Sequence, residues 1–131
     1  MDARLQAQVW RRAQSRCEYC GFPARLTRVP FQIDHVIAEK HGGRTTLENL
    51  ALSCFFCNTF KGPNLAGLDP KTQQVTRLFH PRRDRWHEHF RWNQAILEGL
   101  TAVGRATIEV LRINRDDAVA VRRSVMQEES L

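Results

Sequence analysis

Two short stretches, CEYC at residues 17–20 and CFFC at 54–57, hold all four cysteines of this 131-residue chain. A Cys-x-x-Cys turn offers two thiolates to one ion, and two such turns complete the tetrahedral set that zinc prefers. Cys17, Cys20, Cys54 and Cys57 therefore read as one zinc site. Four sulfurs close the coordination sphere and leave no position for a substrate, so this ion is structural. The bland alternative is buried free thiols or a redox pair, and no redox fold pattern accompanies the cysteines. The 33 residues between the pairs (21–53) exceed what a minimal zinc ribbon needs. That insert places Asp34 and His35 side by side in FQIDHV and Asn49 in LENL, and Asn58 follows Cys57 directly.

These groups need elements to position them. Leu5, Val9, Trp10 and Ala13 recur at helical spacing, so residues 3–16 predict a short amphipathic helix running into Cys17. Phe31 to Ile37 is apolar and β-branched enough for a strand. KHGGRTT (40–46) is a glycine-containing loop, and LENLALSC (47–54) returns as a second extended piece. Residues 54–61 predict a helix stopped by Gly62 and Pro63. In that helix Asn58 lies one turn past Cys54 and ~100° round from Cys57, so it can leave the zinc face for the strand bearing Asp34. Lys61, three residues on, lies on the same side and could meet a substrate phosphate. Adjacent side chains on a regular strand point to opposite faces, so Asp34 and His35 require the strand to end or twist at about His35.

Beyond residue 63 a loop is expected to about residue 72, then a strand in QQVTRLFHP (73–81). WHEHFRW (86–92) alternates as a half-buried strand, and AILEGL (95–100) offers another. Thr101 is placed to cap a helix reaching about Arg112, with Val103, Ala106, Thr107, Val110 and Leu111 inward. Asp116 or Asp117 is placed to cap a last helix through about Glu128. No proline-rich or glycine-rich linker interrupts the chain. The expectation is one domain over 1–131, with its core at about 17–62 and a C-terminal extension at about 73–131.

The formal net charge is +6, from 20 Lys and Arg against 14 Asp and Glu, which favours a polyanionic partner. No apolar leader opens the sequence, and no run approaches the ~18–20 apolar residues of a membrane span. A cytoplasmic protein without membrane attachment is expected. In a reducing compartment, close cysteine pairs favour metal over disulfides.

IDHVIAEKHGG (33–43), LENLALSC (47–54) and CFFCNTFKG (54–62) together resemble the HNH endonuclease family, of the ββα-metal or His-Me finger type. FHPRRDRWHEHFRW (79–92) and LTAVGRATIEVLRINRDDAVAVRR (100–123) also resemble the C-terminal extension of one bacterial branch of HNH proteins. The resemblance implies an α+β fold: a ββα-metal core stapled by the four-cysteine zinc site, with an α/β extension. It implies an endonuclease that hydrolyses phosphodiester bonds in DNA to 5′-phosphate and 3′-hydroxyl ends. His35 would be the general base, a task suited to an imidazole. Asp34 and Asn58 would hold one Mg²⁺ or Mn²⁺, and Asn49 would brace the loop that orients the histidine. The third letter of the family name is Asn58 in this chain, not histidine. A neutral amide is the weaker ligand for softer ions, which turns the preference toward Mg²⁺ or Mn²⁺.

Other residues carry plainer readings. His41 is a loop residue. His87 and His89 share a face of the expected strand and offer only a weak metal site. Trp86, Phe90 and Trp92 read as core before base-stacking platforms. Arg82, Arg83 and Arg85 beside them are candidates to track a nucleic-acid backbone. Two rival functions stand beside the nuclease. One is a non-catalytic zinc-stapled nucleic-acid-binding module; the other is a protein-interaction domain working through its C-terminal helices. The residues do not separate DNA from RNA, one-strand from two-strand cutting, or monomer from oligomer.

Overall fold

Helix α1 (Ala3–Arg12) starts where the Asp2 carboxylate accepts a hydrogen bond from the Arg4 amide at 2.6 Å. Its apolar stripe does what the spacing predicts. Val9 is fully buried against Leu50 and Leu52, with Leu5, Trp10, Ala13, Phe31, Ile33 and Leu47 packed around them. The computed structural model describes residues 1–129, and its contacts divide the chain into two compact units. The first comprises residues 1–65 with 80–84; the second comprises residues 66–79 with the chain from 85 onward.

In the first unit, β1 (Gln32–His35) pairs antiparallel with β2 (Leu50–Ser53) in the register Asp34 to Ala51 and His35 to Leu50. β1 is shorter than the 31–37 expected. The chain bends after His35, where the Val36 amide donates to the Asn49 carbonyl at 2.8 Å. Residues 47–49 form a single 3₁₀ turn, not the start of a strand. The Arg12 guanidinium holds that turn, donating to the carbonyls of Leu47 and Leu50 at 2.8 and 2.6 Å. Helix α2 (Phe55–Lys61) follows β2 at once and packs on both strands. It ends, as its sequence requires, at Gly62 with φ +49°.

In the second unit, β3 (Ala66–Leu68) and β4 (Val75–Arg77) form a hairpin, so only three residues of the expected 73–81 strand are extended. The turn is organised by Asp69. Its carboxylate accepts from the Lys71 amide, the Thr72 hydroxyl and, in a bidentate pair at 2.8 and 2.9 Å, the Arg105 guanidinium. The expected strand 86–92 is wrong in its first half: Trp86–His89 form a short helix, α3, and only then does β5 (Phe90–Asn93) pair with β6 (Ile96–Gly99). The reason is aromatic packing. One helical turn brings Trp86 to 5.1 Å from Phe90, between ring centroids, whereas a strand would set residues four apart at about 13 Å. His87 and His89 consequently share no strand face; His89 Nδ1 instead bonds Thr101 Oγ1 at 2.6 Å.

Thr101 caps α4 (Ala102–Val110) as expected, its hydroxyl oxygen accepting from the Gly104 amide at 3.0 Å. Gly104 is required by proximity, since a Cβ there would lie 2.1 Å from the His89 carbonyl oxygen. α5 (Asp116–Glu129) takes both aspartates into its first turn, so neither is the N-cap expected of them. Phe79, Phe90, Leu97, Ala106, Leu111 and Ile113 are buried in this unit. Among the described residues no helix is long and apolar enough to cross a membrane.

Candidate active site

The four cysteines converge. Cys17, Cys20 and Cys57 are buried, Cys54 nearly so, and their Sγ atoms all lie within 4.8 Å of one another. Zn–S bonds of about 2.3 Å in a tetrahedron space the sulfurs about 3.8 Å apart, and Cys20 Sγ and Cys54 Sγ stand at 3.9 Å. Each turn is tightened from within. The Cys20 amide donates to Cys17 Sγ and the Cys57 amide to Cys54 Sγ, both at 3.4 Å. Buried and crowded together, four thiols do not all ionise unaided, and a divalent ion would hold all four as thiolates. Among the described residues this is the one cluster of histidine, cysteine or carboxylate side chains spaced to hold a metal. The donor set, the spacing and the burial fit a structural zinc.

The first zinc turn is stitched to both strands of the hairpin. The Glu18 amide donates to the Leu52 carbonyl, and the Leu52 amide donates to Glu18 Oε2, each at 2.8 Å. Tyr19 is fully buried and its hydroxyl donates to Asp34 Oδ2 at 2.7 Å. Burial, reinforced by the Asp34 charge, raises the Tyr19 pKa well above the ordinary phenol value.

Asp34 is 6 % exposed, an unusual place for a carboxylate. Burial pushes its pKa up, opposed by Lys61, the Tyr19 hydrogen bond and the charge of His35. Lys61 Nζ lies 3.0 Å from Asp34 Oδ2 and donates to the carbonyls of Val36 at 3.1 Å and His35 at 3.4 Å. Lys61 is itself 1 % exposed. This corrects the expectation that it reaches a substrate phosphate: a buried carboxylate and two backbone carbonyl oxygens engage its ammonium instead. Asn58 sits one turn earlier on α2, half-buried, and no hydrogen bond to another described residue engages its side-chain amide.

His35 faces the other way. Its Nε2 shares a hydrogen bond with Thr45 Oγ1 at 2.9 Å and lies 4.0 Å from Glu39 Oε1. β1 does end at His35, yet within it the two side chains diverge as a strand dictates, Asp34 inward and His35 half-exposed. The loop between them and β2 is closed by Asn49. Its Oδ1 accepts from the Ile37 amide, and its Nδ2 donates to the carbonyls of Ile37 and Arg44, all at 2.9 Å. Gly43 allows that closure, because a Cβ there would lie 1.7 Å from the Ile37 carbonyl oxygen. His41 is exposed.

Arg82 also needs correcting. It pairs with Glu18 Oε1 of the zinc turn, and its Nη1 is buried without a partner among the described residues. Burial, then the nearby Arg12, pull its pKa down to about 10. A guanidinium so enclosed braces the first unit and does not track a polymer. Arg83 and Arg85 remain exposed. Tyr19, Thr45 and Glu18 are partners that sequence reasoning missed. Their only signal was position, two of them inside a zinc turn and one beside the double glycine, and residue type marked none of them.

No curated protein and no solved structure matches the chain. Residues 17–64, which begin at the first thiol of the zinc cluster and end just past α2, match the model of the HNH endonuclease family, and it is to that family that this part of the chain is similar.

Proposed function

We propose that residues 17–64 are a ββα-metal nuclease core, with β1 and β2 as its strands and α2 as its helix, and that it hydrolyses phosphodiester bonds in DNA. The observation that carries this reading is Asp34. It is a buried carboxylate beside a half-exposed histidine, on the strand against which the zinc-capped helix packs, inside the segment similar to HNH endonucleases. His35 is the general base. With Nε2 engaged by Thr45 Oγ1, Nδ1 is the ring nitrogen left to take the proton of the attacking water. Asp34 Oδ1 and the Asn58 side-chain oxygen would hold one Mg²⁺ or Mn²⁺. A hard donor set with one anionic member fits that ion, and neither oxygen has a hydrogen-bond partner among the described residues. When bound, such an ion stabilises charge on the phosphate and on the leaving 3′ oxygen. Asn49 keeps the 37–44 loop closed and so fixes where His35 stands. Of the arginines at 82, 83 and 85, Arg83 and Arg85 are exposed and would meet backbone phosphates.

One observation favours the rival reading of a non-catalytic nucleic-acid-binding module. Lys61 already neutralises Asp34, so the carboxylate does not demand an ion. A plasmid-nicking assay across Mg²⁺, Mn²⁺ and EDTA, run beside His35→Ala, decides between them. The nuclease reading expects cleavage that needs the ion and drops about 10²–10⁴-fold in His35→Ala. Equal cleavage by both proteins removes His35 from the mechanism. Salt-sensitive DNA binding without any cleavage establishes the binding module instead.

A further inference from the structure

Two donors converge on one oxygen of Asp34. The Tyr19 hydroxyl at 2.7 Å and the Lys61 ammonium at 3.0 Å both meet Oδ2, and Oδ1 has no hydrogen-bond partner among the described residues. A carboxylate rotates freely about its last torsion unless something pins one oxygen. Lys61 is the less specific pin, because its ammonium is shared between Asp34 and two backbone carbonyls. Tyr19 is a strong one. Its ring is rigid and fully buried, and the residues on either side are bound into the thiol cluster or hydrogen-bonded to β2. We infer that Tyr19 is a positioning residue for the candidate ion site: its phenol, set by the first zinc turn, holds Asp34 Oδ2 so that Oδ1 is the oxygen presented to a divalent cation. The zinc cluster thereby orients the reactive centre through a single hydrogen bond as well as by holding the backbone. The inference rests on the nuclease reading for the identity of the cation site and adds to it a residue that never touches substrate.

The chain offers an unusual handle, because Tyr19 is its only tyrosine. In Tyr19→Phe the ring stays and one hydroxyl goes. We expect the variant to keep its zinc, measured by release with a thiol reagent. Its Mn²⁺ affinity, read by the electron paramagnetic resonance of free Mn²⁺ without DNA, should weaken about 10–100-fold. The Mg²⁺ concentration for half-maximal nicking should rise by a similar factor, with most of the loss recovered at saturating Mg²⁺. A zinc-replete Tyr19→Phe protein with unchanged Mn²⁺ affinity overturns the inference. Should that variant not fold, the unsubstituted protein grown with 3-fluorotyrosine carries one fluorine probe, at residue 19. Its resonance should move with Mg²⁺ along the same curve as ion binding, and Asp34→Asn should abolish the movement; a resonance indifferent to saturating Mg²⁺ overturns the inference. Failure of the nuclease reading looks different. There the unsubstituted protein itself binds no Mn²⁺ and cuts no DNA, and both proposals fall together.

Discussion

Among single residues, Asn49 does the most with one side chain. It satisfies one amide and two carbonyls of a loop that has no ladder partner, while its own carbonyl takes the Val36 amide at the end of β1. Removing it leaves part-buried backbone groups unpaired, each costing about 1–3 kcal/mol. Asn49→Ala is therefore expected to lower stability by about 2–3 kcal/mol in urea denaturation. Under the proposed nuclease function, it should also lower kcat for nicking more than it weakens DNA binding, because it loosens the loop that orients the proposed base His35 and not the proposed phosphate contacts. An Asn49→Ala protein with full activity and full stability would show that the loop is held by other means.

At the scale of elements, the first unit has a small core. Val9, Leu50 and Leu52 are its fully buried apolar side chains in one cluster, and β1 and β2 have four residues each. A two-stranded hairpin is marginal in water without further support. The zinc cluster supplies that support by joining the turn before β1 to the N-terminus of α2, and a structural ion's binding energy is then folding energy. Stripping zinc with a strong chelator is expected to unfold α1, the hairpin and α2, and to quench the fluorescence signature of Trp10. The second unit contains no cysteine and should keep its helical circular dichroism. Retention of the full spectrum after complete zinc loss would contradict this division.

For the molecule as a whole, acid sensitivity should come from the second unit, outside the residues to which chemistry is proposed. Asp69 is fully buried, and the Arg105 guanidinium holds its pKa well below the ordinary carboxylate range. The folded form thus binds the proton less readily than the unfolded chain, whose aspartate titrates near ~3.9. The stability from this pair is present in full above that value and is lost as pH falls below it toward the lowered folded pKa. Asp69→Asn should melt at a lower temperature than the unsubstituted protein near neutrality, and the gap should narrow as pH falls below about 4. Zinc loss in acid affects both proteins alike, so the gap isolates the pair; a gap constant with pH would rule it out.

Much of this was legible in residue types and their spacing. The paired thiols name their chemistry without coordinates, because ligand number and spacing are local constraints, and the structure brings all four sulfurs together. The helix that buries Val9, the glycine stop after Lys61 and the threonine cap at residue 101 are equally local, and the structure has each of them. Where side chains meet across the chain is another matter. Lys61 and Arg82 look like phosphate contacts in sequence, since a cation near a presumed site has no visible partner there. Folding gives each a carboxylate, Asp34 for one and Glu18 for the other, and a charge with a buried partner no longer serves the solvent. The alternation of residues 86–92 fits a strand, yet Trp86 gains more by stacking on Phe90 across a helical turn. Tyr19 has no signal in sequence beyond its place inside the first Cys-x-x-Cys turn. Its part is fixed only when the zinc turn swings it onto Asp34, because a hydrogen bond between residues fifteen apart depends on the path of the chain and not on its local composition.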